Sequence, residues 1–199
     1  MPEETPISGF ESSTAAELDD GEWTGDRAVA EVVGDLLSER GETVAVAESL
    51  TGGLIGSTIT DVPGSSDYFD RSLATYAYDA KRQELAVPRE DLDAYGAVSA
   101  PVARAMAQGV RDRADTTWGV SATGVAGPDG GQRDKPVGLL YVGVAFAAPW
   151  GTEASFTRSR RFELDGDRAT IKRKSVVCAL AELVRAVRET APTSEFGDE

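Results

Sequence analysis

The sequence contains no histidine and a single cysteine, Cys178. The first absence excludes every Ser-His or Cys-His arrangement, and every His-ligated zinc site, that the chain can supply by itself. Acid–base chemistry then falls to Lys, Asp, Glu, Tyr or water. The second excludes an intrachain disulfide and fits a reducing compartment. Long apolar runs are also missing: none approaches the ~18 residues needed to span a bilayer. The N-terminus has neither a basic region nor an apolar stretch behind it, so a cytoplasmic protein without export signal or anchor is expected.

Positive charge is scarce, with 20 Lys and Arg against 34 Asp and Glu, a formal net charge of -14. A field of that sign repels nucleic acid and anionic membrane surfaces, and neither is an expected partner. A carboxylate-rich surface stays hydrated in concentrated salt, where screening makes self-repulsion tolerable, so the acidity reads as solvent adaptation. A small anion still finds a site wherever a few Arg or Lys side chains and backbone N–H groups converge.

What is present suffices for one domain: 199 residues, 41% of them apolar. Residues 1–25 carry many carboxylates and no Lys or Arg, which predicts a disordered acidic tail. Residues 191–199 share that character and are expected to fray, leaving a folded body over 26–190. Within it, Val29, Val32, Val33, Leu36 and Leu37 recur at helical spacing ahead of Gly41. Thr43 to Ala47 reads as a strand buried on both faces, followed by the turn Glu48 to Gly53 and a helix from Leu54 to Ile59. Strands are expected over 71–78, 117–122, 137–147 and 154–162, and helices over 80–86, 99–113 and 167–187, with Ser99 as N-cap and Pro101 in the first turn of its helix. Alternating strands and helices with a late strand pair predict a layered α/β domain on a mixed sheet.

Three polar segments follow predicted strands: Glu48 to Gly53, Tyr76 to Lys81, and Thr123 to Gly131. In open α/β sheets ligands collect beyond the C-terminal strand ends, which makes these segments candidates for one shared site. Ser49, at a strand-to-helix turn, is placed to be a nucleophile beside backbone N–H groups and the positive end of a helix; alternatively, Ser49 or Thr51 simply caps that helix. Gly52 and Gly53 either admit a ligand or let the helix pack closely on the sheet. Lys81 is the available base for Ser49 if burial, or a cation such as Arg82, lowers its pKa; otherwise it is a solvated surface charge. Thr123 can donate to an oxyanion or relay a proton between the two. Gly124, Gly127, Gly130 and Gly131 either present N–H groups to an anion such as phosphate or form a plain turn. Asp129, Asp134, Asp165 and Asp167 match no compact metal-ligand pattern. Cys178 lies among apolar residues and reads as a buried small side chain.

Taken together, Ala47-Glu48-Ser49-Leu50-Thr51-Gly52-Gly53, Pro63-Gly64-Ser65-Ser66, Tyr76 with Ala80-Lys81, Gly96-Ala97-Val98-Ser99, Gly124 through Gly131 and Lys135-Pro136-Val137-Gly138 resemble the CinA C-terminal domain family, in order and over nearly the whole folded body. The resemblance implies a three-layer α/β/α sandwich with a mixed, mostly parallel sheet. It also implies hydrolysis of nicotinamide mononucleotide to nicotinic acid mononucleotide and ammonia, without a metal or organic cofactor. Ser49 matches the family's nucleophile, Lys81 its general base and Thr123 the hydroxyl that completes the site. Glu48, Thr51, Gly52, Gly53, Tyr76, Tyr78, Gly124, Ala126, Gly127 and Gly130 are the substrate-lining positions it suggests, with Arg168 of the Gly166-Asp167-Arg168 segment as a phosphate candidate.

Leu50 stands where the family usually has Cys, and Tyr78 where Asn is common; the first alters packing, the second the pocket. Many relatives carry a further N-terminal domain of the molybdopterin-binding type. Here the acidic segment occupies that place, and that domain's activity is expected to be absent. A homo-oligomer is implied by resemblance alone. A non-catalytic nucleotide-binding module and an amidase for another small amide are the alternatives.

Overall fold

The computed structural model describes residues 13–14 and 26–196. The rest of the expected acidic tail and residues 197–199 lie outside the described residues. In chain order the elements are β1 (Ser13–Thr14), α1 (Asp26–Arg40), β2 (Val44–Glu48), α2 (Leu54–Thr60), β3 (Phe69–Ala74), α3 (Tyr78–Leu85), α4 (Arg89–Tyr95), α5 (Ala100–Ala114), β4 (Trp118–Gly124), β5 (Leu139–Phe146), β6 (Phe156–Glu163) and α6 (Arg168–Glu189).

Strand order across the sheet is β1-β6-β5-β4-β2-β3. β2 runs parallel to β3 and β4, β5 is antiparallel to β4 and β6, and β1 lies parallel to the end of β6. All five residues of β2 are buried, as a central strand covered on both faces requires. One layer consists of α1, α2 and α6, which pack on one another; the other consists of α3, α4 and α5. The result is a three-layer α/β/α domain with a mixed sheet. On one face Val44, Val46, Val120 and Val142 pack with α1 and α6 residues such as Val33, Leu37, Leu180 and Leu183; on the other Ala45 and Ala47 meet Leu85, Val102, Met106 and Val110. α5 is fixed to the sheet by the hydroxyl of Ser121, which donates to the Ala103 carbonyl at 2.6 Å. Cys178 sits in the first core, 1% exposed.

The structure departs from the sequence expectations at several points. α4 went unpredicted because Leu92 is its one buried residue, too little to give a period. The strand expected over 71–78 ends at Ala74, and Tyr78 opens α3 instead, because the carbonyls of Thr75 and Tyr76 turn towards Lys81. Ser99 occupies the N-cap of α5, but its hydroxyl donates to the Gly96 carbonyl rather than accepting from the helix. After α6 the chain is held at Thr193, whose N–H donates to Glu42 at 2.9 Å. The same buried carboxylate accepts the indole N–H of Trp118 at 2.8 Å.

Candidate active site

The C-terminal ends of the parallel strands β3, β2 and β4 lie side by side, and the three polar segments emerge there. The turn after β2 is pinned to both neighbours: Ser49 N–H donates to Ala122 O at 2.9 Å, and Thr75 N–H donates to Glu48 O at 2.8 Å. Lys81 reaches back from α3 into this junction and is fully buried. Its Nζ donates to Thr75 O at 2.6 Å, to Tyr76 O at 3.1 Å and to Ser49 Oγ at 3.0 Å. Burial lowers its pKa from 10.5 to about 8, since water no longer solvates the charged form. Arg82 plays no part in this shift, because its guanidinium pairs with Asp79 on the exposed face of α3. When Lys81 is neutral, two N–H groups can remain on the two carbonyls while the lone pair faces the Ser49 hydroxyl.

Glu48 has a different place from the substrate contact expected of it. Its carboxylate is wholly buried and accepts four hydrogen bonds: from Gly53 N at 2.8 Å, Ile55 N at 3.1 Å, Gly56 N at 2.9 Å and Ser72 Oγ at 2.6 Å. The N–H groups of Gly53, Ile55 and Gly56 at the opening of α2 are thereby satisfied from one turn upstream. Neither Ser49 nor Thr51 caps the helix, and its N-terminus is not free to serve an oxyanion. The N–H groups of Leu50, Thr51 and Gly52 do remain without an acceptor among the described residues.

Thr123 is fully buried, and its hydroxyl donates to Ala97 O at 2.8 Å. Lys81 touches Ser49 directly, without the Thr123 hydroxyl between them. Tyr78, half exposed, accepts the Ala97 N–H on its phenol oxygen at 3.1 Å, so Tyr78 and Thr123 together hold the Gly96–Ser99 segment against the site. Tyr76 is 69% exposed. Thr51 is fully buried, and its hydroxyl has no partner.

Gly124, at the end of β4, and Ala126, in the loop that follows, are both closely packed. A β-carbon at Gly124 would lie 2.4 Å from Leu139 O and 3.0 Å from Leu50 Cδ1. Ala126 is buried in the core. A β-carbon at Gly127, whose φ is +71°, would strike Val137 at 2.6 Å, whereas Gly130 faces open space. Arg168 donates to Gly127 O at 2.7 Å and so ties this loop to α6. One residue the sequence reading passed over is Lys172, one helical turn beyond Arg168, whose Nζ stands over Gly52. Its signal was the i, i+4 spacing from Arg168 on a helix face. Among the described residues, no group of three or more His, Cys, Asp or Glu side chains is arranged to hold a metal ion, and no helix is long and apolar enough to cross a membrane.

Fold and site define a class: a three-layer α/β/α domain carrying a buried serine–lysine pair at the C-terminal ends of its parallel strands. The chain belongs to the CinA C-terminal domain family, whose model matches residues 26–187. A CinA-like protein of Chlorobium limicola is 48% identical over 159 residues, 80% of this chain and 37% of its own length. Another from Acaryochloris marina is 54% identical over 129 residues, 65% of this chain and 30% of its own. The chain thus spans well under half the length of these curated relatives. Among solved structures, competence damage-inducible protein A of Klebsiella pneumoniae superposes with a TM-score of 0.78 at 27% identity, covering 84% of this chain and all of that one. Competence/damage inducible protein CihA of Agrobacterium tumefaciens gives 0.76 at 35% identity, covering 83% and 98%.

Proposed function

We propose that this chain hydrolyses the carboxamide of nicotinamide mononucleotide, with Ser49 as nucleophile and Lys81 as base. The observation that carries the reading is the contact between Lys81 Nζ and Ser49 Oγ, 3.0 Å long at a site where the amine is desolvated. A serine hydroxyl is a weak nucleophile until a base takes its proton, and a lysine amine does so when burial keeps it neutral near physiological pH. No histidine competes for the role.

In the proposed cycle Lys81 accepts the Ser49 proton as Oγ bonds to the carboxamide carbon. Leu50, Thr51 and Gly52 offer the unpaired N–H groups nearest the developing oxyanion. The tetrahedral intermediate breaks its C–N bond, Lys81 returns the proton to the departing amine, and ammonia leaves an acyl-serine ester. Water, deprotonated by the same Lys81, then releases nicotinic acid mononucleotide and regenerates Ser49. Glu48 fixes the turn that carries the nucleophile, and the exposed ring of Tyr76 offers an electron-rich face to the cationic pyridinium.

The test is ammonia release from nicotinamide mononucleotide by the purified chain in high salt, beside Ser49→Ala and Lys81→Ala. Release by the unaltered chain, lowered at least a thousandfold in both variants, is the expected result. Equal release by all three overturns the assignment, and turnover of a different amide alone overturns the substrate.

A further inference from the structure

We infer that Lys172 holds the phosphate of the substrate over the Ser49–Gly53 turn and thereby selects a nucleotide over its nucleoside. The inference rests on the amidase reading above and adds a specificity residue to it. Gly52 is exposed, with φ at +63°, and a β-carbon built on it would meet one neighbour within 4 Å: Lys172 Nζ, at 3.8 Å. The ammonium therefore overhangs the backbone of the turn with open space beside it.

Lys172 has no hydrogen bond or ion pair among the described residues, in contrast to Arg168 and Lys174 on the same helix. Arg168, one turn earlier, donates to Gly127 O, and Lys174 donates to Asp165 O. In a chain of net charge -14, a lysine left without a carboxylate beside this turn marks a locally positive spot. The nearest carboxylate along the turn, that of Glu48, is buried and already takes four donors. Among the described residues the N–H groups of Thr51 and Gly52 are also unpaired, and the buried hydroxyl of Thr51 lacks a partner.

An ammonium beside free backbone N–H groups is a set of donors for a compact anion with several acceptor oxygens, which a phosphate monoester provides and a ribose hydroxyl does not. Gly52 follows Ser49 by three residues, so their Cα atoms lie within about 11 Å of each other. That limit keeps Ser49 and the Gly52 backbone within one site, where a single small ligand can touch both.

The experiment compares kcat/KM for nicotinamide mononucleotide and for nicotinamide riboside in the unaltered chain, Lys172→Gln and Lys172→Arg. The expected result is a preference for the nucleotide that falls about tenfold in Lys172→Gln, through KM rather than kcat, and is largely kept in Lys172→Arg. An unchanged preference, or equal losses on both substrates, overturns the inference. If the unaltered chain releases ammonia from neither, the amidase reading fails and calorimetry decides the inference separately. Nicotinic acid mononucleotide must then bind Lys172→Gln about tenfold more weakly than the unaltered chain, and equal binding overturns it.

Discussion

Lys81 Nζ and Ser49 Oγ meet at 3.0 Å across a sequence separation of 32 residues, and the two backbone carbonyls beside them fix how the amine is presented. Because burial holds the Lys81 pKa at about 8, below its ordinary 10.5, the amine is about half neutral at pH 8. The neutral form is the one able to take a proton from Ser49. Amidase activity is therefore expected to rise with pH, falling about tenfold per unit below pH 8 and levelling off above it. A rate profile of kcat/KM from pH 6 to 10 checks this, and a flat profile contradicts a lysine base.

The same shift has a consequence for stability. Between about pH 8 and 10.5 the unfolded chain keeps the Lys81 proton while the folded chain has lost it, so this residue makes stability rise with pH across that window. Below pH 8 the folded state carries the cost of a buried charge. Lys81→Met removes the linkage: the melting temperature of the unaltered chain relative to this variant should climb from pH 8 to pH 10.

Glu48→Gln exchanges one acceptor oxygen for an NH2 group that must face either the Gly56 N–H and Ser72 hydroxyl or the Gly53 and Ile55 N–H groups. A buried donor set facing another donor costs about 1–3 kcal/mol. The expected outcome in urea denaturation is a loss of about 2–3 kcal/mol. It should be accompanied by a drop in kcat of tenfold or more with little change in KM, since the turn carrying Ser49 loses its anchor.

Gly124→Ala brings a methyl group against the Leu139 carbonyl and Leu50, the residue next to the nucleophile. Overpacking of this kind costs about 1–3 kcal/mol. A lowered urea midpoint together with reduced kcat is expected, and an unchanged midpoint would show that the loop yields.

Thr123→Val leaves the Ala97 carbonyl without its donor, whereas Thr123→Ser keeps it. Steady-state kinetics should show at least a tenfold loss in kcat/KM for Val and recovery for Ser. Activity kept in Val and lost in Ser would make the methyl group, not the hydroxyl, the part that matters.

Much of the architecture was readable from periodicity. α1, α5 and α6 bury regular stripes, and β2 and the first half of β4 are mostly apolar, so their place in a layered α/β domain followed from pattern alone. Convergence of Ser49 and Lys81 followed from the rule that sites gather beyond parallel strand ends, combined with the absence of histidine. Partners set by tertiary geometry were not readable. Nothing in the local sequence says that Glu48 turns inward to the start of α2, that Arg168 grips the Gly127 carbonyl, or that Lys172 overhangs Gly52. The last two join segments brought together only by the completed fold. At Gly124 and Gly127 the choice between an anion site and a plain turn stayed open because glycine leaves no side chain to betray a neighbour, and the neighbours, Leu139 and Val137, lie on the following strand and its approach.

The lone thiol gives this molecule an internal clock. Cys178 is 1% exposed on α6, and burial, reinforced by Glu182, pushes its pKa up to about 12. Alkylating reagents attack the thiolate, so the native state is inert towards them. Modification must then wait until α6 lifts from the sheet, and its rate under mild conditions records how often the last helix opens.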